Sequence, residues 1–356
     1  MTDALYSRLA AALDRLPGRF PRTPSGAELA LLRCLFTPPQ AGLGAVMTRD
    51  YETPATIAAR AGAPAGDVAR GLGEMAADGL VLVRETDGGA TYRLAQFLDG
   101  IVELNLERFG PELARLYEAY MADGGARLLM GNPAYARVLP AGESIRSEWV
   151  LPFDDVRAIL EQTPYIVLSD CFCRTERAMA GAPCRFPLRV CLDLRTTRPA
   201  PDEGEPISTE RALQILRDAE EAGLVHTVSN VLGGWDWLCN CCSCCCEWLR
   251  GYEEWHIDSA VVRNYRASFS AETCSGCGLC EERCQVGAIA VAGDRADIDV
   301  ERCIGCGLCV TTCPDDALRL DRLPEPEVTL PPRDHAAWED ERLRAADERL
   351  RAADEP

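Results

Sequence analysis

CSGCGLCEERCQVGAIAV at residues 274–291 and CIGCGLCVTTCPDDALRL at residues 303–320 are two copies of one pattern, offset by 29 residues. Each copy spaces its cysteines as Cys-x2-Cys-x2-Cys-x3-Cys, and glycines fill matching gaps at Gly276, Gly278, Gly305 and Gly307. Eight thiols at a spacing repeated in this way are too regular to be there for packing alone. Thiolate sulfur selects zinc, copper(I) and iron–sulfur centres, so the segment reads as a metal-binding repeat. Zinc fits poorly, because its structural sites commonly draw on two separated Cys-x2-Cys pairs and not on four linked cysteines twice over.

The run is the one that wraps three thiolates around an iron–sulfur cubane and projects the fourth toward a second. On these motifs residues 271–320, within a domain expected over 266–325, closely resemble the bacterial two-[4Fe–4S] ferredoxin domain. The resemblance implies two clusters, the first held by Cys274, Cys277 and Cys280 with Cys313, the second by Cys303, Cys306 and Cys309 with Cys284. It also implies that the four glycines let the backbone turn around each cube and offer N–H groups to it. Ala288 and Ala317 are expected beside a cluster, and Ala290–Val291 and Arg319–Leu320 as strands closing each half. One departure stands out: Pro314 follows Cys313 as the family expects, but Gln285 follows Cys284.

The rest of the composition narrows the chemistry. A chain of 356 residues predicts two or three domains. It contains no lysine, which excludes a Walker A loop, a Schiff-base lysine and a pyridoxal-phosphate site. With only His226, His256 and His335, multi-histidine metal centres are excluded as well. Eighteen of the nineteen cysteines lie between Cys171 and Cys313. Without an export signal or an apolar run of membrane length, a soluble cytoplasmic protein with reduced, metal-binding thiols is expected. A formal charge of −19 disfavours nucleic acid and anionic membrane as the main partners.

Residues 1–97 read as helices at 4–16, 25–35, 53–61 and 64–78, followed by a hairpin around Asp87-Gly88-Gly89. Helix, turn, helix and hairpin in this order resemble the winged helix-turn-helix domains of bacterial regulators. The recognition-helix position, 64–78, carries Arg70 against Asp67, Glu74 and Asp78, a net −2 that suits a scaffold or docking role better than DNA reading. Arg84 and Arg93 on the wing leave phosphate contact open. Residues 98–150 read as connecting helices and linker. The tail, 326–356, reads as a charged helix with Leu343, Ala346, Leu350 and Ala353 on one stripe, docking on its own domain.

Residues 151–265 form the cysteine-rich part, expected as an α/β domain in which helix, strand and cysteine loop occur twice. The strands are 165–168 and 224–228, and in open α/β sheets ligands sit beyond the carboxyl ends of strands. The ten cysteines here, Cys171, Cys173, Cys184, Cys191, Cys239, Cys241, Cys242, Cys244, Cys245 and Cys246, are the pool for an additional iron–sulfur cluster or a zinc ion. Redox-active thiols without metal are the third choice. Cys171, Cys173, Cys241 and Cys244 lead the pool. Consecutive Cys244–Cys246 cannot all aim one way, so they should divide. Arg174 and Arg185, next to cysteines, would favour thiolates or offset cluster charge. His226 reads as a satisfied core histidine, and Trp235, Trp237 and Trp248 as a wall around the sulfurs.

The whole is an α+β multidomain chain: winged-helix, cysteine-rich, ferredoxin-like and tail-helix parts. No nucleotide-binding glycine fingerprint is present, so electrons must pass to or from another protein. The leading expectation is therefore an iron–sulfur electron-transfer protein with a redox protein partner. A reductase whose central cluster is catalytic, and a redox-sensing winged-helix regulator, are the alternatives. The sequence sets neither the oligomeric state nor a catalytic residue.

Overall fold

Thr53 shows how local chemistry starts the elements: its side chain accepts from the Thr56 amide and Pro54 follows, so a helix begins there and ends at Gly62, φ 65°. The computed structural model describes residues 2–354 except 106, 107, 109, 143, 201–203 and 294. The chain is mixed helix and sheet and divides into two compact units, Met1–Leu128 with Glu176–Pro183, and Leu129–Thr175 with Cys184–Pro356.

The first unit contains α1 (Thr2–Asp14), α2 (Ala27–Leu35), α3 (Pro38–Gly44), α4 (Pro54–Ala61) and α5 (Ala65–Ala77). Strands β1 (Val81–Thr86) and β2 (Gly89–Leu94) pair antiparallel with Thr86 opposite Gly89, so Asp87-Gly88 makes the tight turn. Helix α3 falls in a stretch that periodicity left blank. Its signal was a capping box, Thr37 with Gln40 around two prolines. After the hairpin, α6 (Val102–Leu104) and α7 (Pro111–Ala122) return to the helices. Phe97 and Tyr120 pack on Phe20 at 4.6 and 4.9 Å between ring centres. The segment expected as a connector is thus divided, its first part belonging to the core of this unit.

The second unit is built on β3 (Ala136–Val138), β4 (Tyr165–Asp170), β5 (Arg189–Arg195), β6 (Pro206–Ile207), β7 (Val225–Ser229), β8 (Trp237–Cys241) and β9 (Val261–Val262). They form one sheet in the order β6-β4-β5-β8-β7-β3-β9. Every neighbouring pair is antiparallel except β3 with β9. This differs from the parallel arrangement on which the α/β expectation rested. The chain leaves β7 and turns straight back into β8 as a hairpin, so the second cysteine group does not follow the carboxyl end of β7. It begins inside β8. Because β4 and β8 both run antiparallel to β5, they point the same way and deliver their cysteines to one end of the sheet.

Side chains alternate along these strands. Leu192 pairs with Leu238, which sets Cys191 beside Cys239, and Thr227 pairs with Cys239. Cys191, Thr227, Cys239 and Cys241 therefore share one face. The other face carries Leu192, His226, Leu238 and Asn240. Of the helices α8 (Val156–Gln162), α9 (Phe172–Met179) and α10 (Thr209–Ala222), α10 reaches this second face through Glu220, which meets His226 at 2.9 Å. Helix α11 (Glu247–Glu253) follows the cysteine run.

Strand β10 (Tyr265–Phe269) pairs with the later β13 (Leu318–Arg322), and β11 (Ile289–Ala292) with β12 (Arg295–Ile298). Between them α12 (Leu279–Arg283) and α13 (Leu308–Thr312) start from Gly278 and Gly307, both left-handed. Helix α14 (His335–Asp354) docks within this unit. Arg342 donates to the carbonyls of Met130, Gly131 and Pro133, and Trp338 to that of Ala134. The buried stripe is Trp338, Arg342 and Ala346. Of the expected stripe Ala346 is buried and Leu343 partly so, while the side chains of Leu350 and Ala353 lie outside the described residues. Among the described residues no helix is long and apolar enough to cross a membrane.

Candidate metal centres

Backbone turns bring the repeat cysteines together. Cys274, Cys277 and Cys280 of the first copy line a hollow together with Cys313 of the second. Cys280 is raised by burial and by the charges of Cys277 and Cys313. In the other half, burial pushes Cys306 up to about 12, reinforced by Cys303 and by Cys284 of the first copy. Burial raises Cys309 too, and Cys306, Cys303 and Cys284 add to it. Each half thus gathers three cysteines of one copy with one of the other close by, Cys313 in the first half and Cys284 in the second, and Cys280 also acts on Cys309. Backbone amides point at the sulfurs: Ala288 to Cys284 at 3.2 Å, Ala317 to Cys313 at 3.3 Å, Ala267 to Cys303 at 3.4 Å and Gly276 to Cys274 at 3.4 Å. Such N–H···S contacts are the outer-shell donors that stabilise negative charge on sulfur.

The second copy is pressed against its neighbours. A Cβ at Gly305 would overlap the Tyr265 carbonyl, and one at Gly307 the Ser144 hydroxyl. Tyr265 is fully buried and its hydroxyl accepts from the Leu151 amide at 2.8 Å. Sequence reasoning did not single out Tyr265 or Ser144. Neither carries chemistry, and only the fold shows why they matter.

The ten central cysteines separate into two groups. The sulfurs of Cys184, Cys242, Cys244 and Cys245 all lie within 4.8 Å of one another. Closest are Cys242–Cys244 at 3.4 Å and Cys184–Cys244 at 3.5 Å. Cys242 is lowered to about 6, first by the Cys245 thiol and then by Arg174, against the effect of burial. Burial and the Cys242 charge push Cys244 up to about 12.

The remaining six form a closed ring of side-chain contacts. Cys171 meets Cys173 and Cys191, Cys191 meets Cys239, Cys239 meets Cys241, and Cys246 meets both Cys241 and Cys173. The Cys241–Cys246 sulfurs are 2.9 Å apart, and Thr227 Oγ1 lies 3.3 Å from Cys241. The expected leading four are therefore not one group: Cys171, Cys173 and Cys241 belong to the ring and Cys244 to the other set. Consecutive cysteines divide as their backbone directions require. Cys241 and Cys246 turn to the ring, and Cys242, Cys244 and Cys245 turn away from it.

Arg174 stands by both groups. It is buried, donating to Pro187 O at 2.8 Å and Asn240 O at 2.7 Å. Burial works against its charge, but Cys171, Cys242 and Cys241 more than offset this and raise it. Arg185 instead lies over the Phe186 ring, 5.2 Å from its centre. His226 is held by Asn240 at 2.6 Å and Glu220 at 2.9 Å, both ring nitrogens engaged within the core. Trp237 stacks on Trp248 at 5.5 Å and Trp248 on Tyr135 at 5.3 Å, an aromatic wall starting on the Cys239 face of β8. Trp235 donates to Val231 O at 2.9 Å.

Gln285 supplies a link that sequence reading recorded only as a departure. Its Oε1 accepts from both the amide and the hydroxyl of Ser243, the residue between Cys242 and Cys244, and its Nε2 donates to Gly223 O at 2.8 Å.

Residues 267–290 and 296–319 match the family model of the 4Fe-4S binding domain. No curated protein matches the chain. The match and the clustered cysteines together support an iron–sulfur electron-transfer protein.

Proposed function

We propose that the protein passes single electrons between a redox protein partner, two [4Fe–4S] clusters in the repeats, and a third iron–sulfur centre at Cys184, Cys242, Cys244 and Cys245. Clusters of this type, when bound, supply one-electron acceptance and release. In this reading Cys274, Cys277, Cys280 and Cys313 hold one cluster and Cys303, Cys306, Cys309 and Cys284 the other. The exchange of one cysteine between the copies and the hollow beside the first set support that assignment.

The observation that carries the relay is the Gln285–Ser243 contact. It joins the residue after Cys284 to the residue between Cys242 and Cys244, at 3.0 Å to the amide. A buried cation, Arg174, stands ready to offset negative charge on the four thiolates. The chain's −19 charge suits a partner with a basic docking patch, acting on encounter rate more than on affinity.

The helix–turn–helix and hairpin of the first unit act here as a winged-helix scaffold or docking module. Arg70 is paired with Asp67 at 2.6 Å, and Arg84 lies 4.0 Å above the Tyr51 ring. Both cations are engaged within the unit, which favours docking over DNA reading.

The test is metal content and reduced-state EPR of anaerobically purified protein carrying Cys245→Ser. Loss of about four iron and four sulfide per chain, with the repeat signals intact, is the expected result. Unchanged iron, or loss of one zinc in place of iron, would sink the third redox centre.

A further inference from the structure

The four-thiol group leaves six of the ten central cysteines unused. They come from five separate elements: Cys171 from just after β4, Cys173 from the first turn of α9, Cys191 from β5, Cys239 and Cys241 from β8, and Cys246 from the cap of α11. Chain separation of this kind brings six sulfurs together only by design of the fold. The β5–β8 register sets Cys191 against Cys239, and Cys241 and Cys246 sulfurs stand 2.9 Å apart. The stacked Trp237–Trp248 pair starts from the same strand face and gives the sulfurs an apolar flank.

We infer that Cys171, Cys173, Cys191, Cys239, Cys241 and Cys246 are a second metal site of the central region, separate from the four-thiol group, and that it takes a polynuclear iron–sulfide centre. A single tetrahedral ion uses four thiolates and would leave two sulfurs of the ring without a role. Six thiolates carry six negative charges into a largely buried place, and the cation beside them is Arg174. Uncompensated buried charge is costly, so if all six bind as thiolates a single ion cannot balance them and several metal ions are needed. Sulfide-bridged iron meets that demand, because one centre then spreads its charge over many thiolates and bridging sulfides. Each thiol that becomes a ligand releases its proton on loading. The two sites touch through adjacent residues, Cys241 beside Cys242 and Cys245 beside Cys246, which sets them as neighbours on one path.

The inference stands apart from the four-thiol reading, and the test separates them. Iron, sulfide and zinc are measured on the anaerobically purified full chain, on Cys239→Ser and on Cys245→Ser. The expected result is wild-type iron above the roughly twelve that three cubanes supply, with at least about four iron lost in Cys239→Ser independently of the loss in Cys245→Ser. Metal lost in Cys239→Ser alone would uphold the ring and sink the four-thiol centre. Unchanged metal in Cys239→Ser, or loss of a single zinc ion, would overturn the proposal. Cys239 lies on a core strand, so native mass spectrometry of the wild type, before and after acid release of metal, counts the metal without any variant. A mass accounted for by the roughly eight iron of the two repeat clusters, with their sulfides, would also overturn it.

Discussion

Gln285 presents its side-chain oxygen to the Ser243 amide at 3.0 Å and to the Ser243 hydroxyl at 3.2 Å, while its nitrogen donates to Gly223. A proline, the residue at the matching position 314, could make none of these bonds. The departure from the repeat is thus a docking contact, and the side chain that replaces proline fastens the repeat to the cysteine run.

Gln285→Pro should therefore leave cluster ligation intact and loosen the seam. Three hydrogen bonds of about 0.5–1.5 kcal/mol each are removed, so a stability loss of about 1.5–4.5 kcal/mol is expected in denaturant titration. Iron content should stay at the wild-type value. Electron equilibration between the repeat signals and the central signal, followed by freeze-quench EPR, should slow at least tenfold. Equal rates in variant and wild type would mean that electrons take another route.

The two glycines of the second repeat should not tolerate a side chain, and Gly278, the first-repeat counterpart of Gly307, should. Gly305→Ala meets the Tyr265 carbonyl, which belongs to a buried strand and cannot move aside. Loss of about four iron per chain is expected. Gly278 has open space around it although its φ is +82°. Gly278→Ala should cost only the left-handed strain, roughly 1–2 kcal/mol, and keep its iron. Iron analysis of the two variants side by side decides this; loss from Gly278→Ala alone would contradict it.

How much of this was open to reading follows from what each feature depends on. The repeats and their cysteines were legible because ligand spacing is local. The hairpin was legible because Asp87-Gly88 fits a two-residue turn. Strand β8 was not: Trp-Leu-Cys-Asn-Cys has its alternation hidden, since cysteine reads as apolar or as ligand with equal ease. The separation of ten thiols into four and six depends on sheet register, which no single segment holds. The docking stripe of α14 includes Trp338 and Arg342 beside the expected Ala346 because Arg342 finds three backbone carbonyls, a partnership set by a distant loop.

Arg137 and Asp154 test the polar core of the second unit. Their side chains are fully buried and bonded at 2.6 Å, and Arg137 also donates to Phe153 O at 2.7 Å. Burial raises the Asp154 carboxyl and lowers Arg137, each opposed by the other's charge. Arg137→Met leaves a buried carboxylate without its cation, and a loss of about 3–5 kcal/mol is expected. The double variant Arg137→Met with Asp154→Leu should recover much of this. A single variant as stable as wild type by denaturant midpoint would show that the pair holds nothing.

Glu220 links acid sensitivity to the face of the sheet opposite the thiols. Burial pushes its carboxyl up, but His226 and the Gly142 amide outweigh this and hold it below the ordinary 4.5. A carboxylate depressed in the folded state adds stability that is fully present above its ordinary value. That stability is lost as pH falls through the lower folded value. Wild type should therefore weaken on acidification below about pH 4.5 more steeply than Glu220→Gln, which cannot titrate. At neutral pH the variant should be the weaker of the two, because the charge on the His226 partner is gone. Denaturant midpoints at pH 7 and across pH 3–5 give both comparisons on one pair of proteins. Parallel curves for the two would mean that Glu220 is not the group that couples this core to acid.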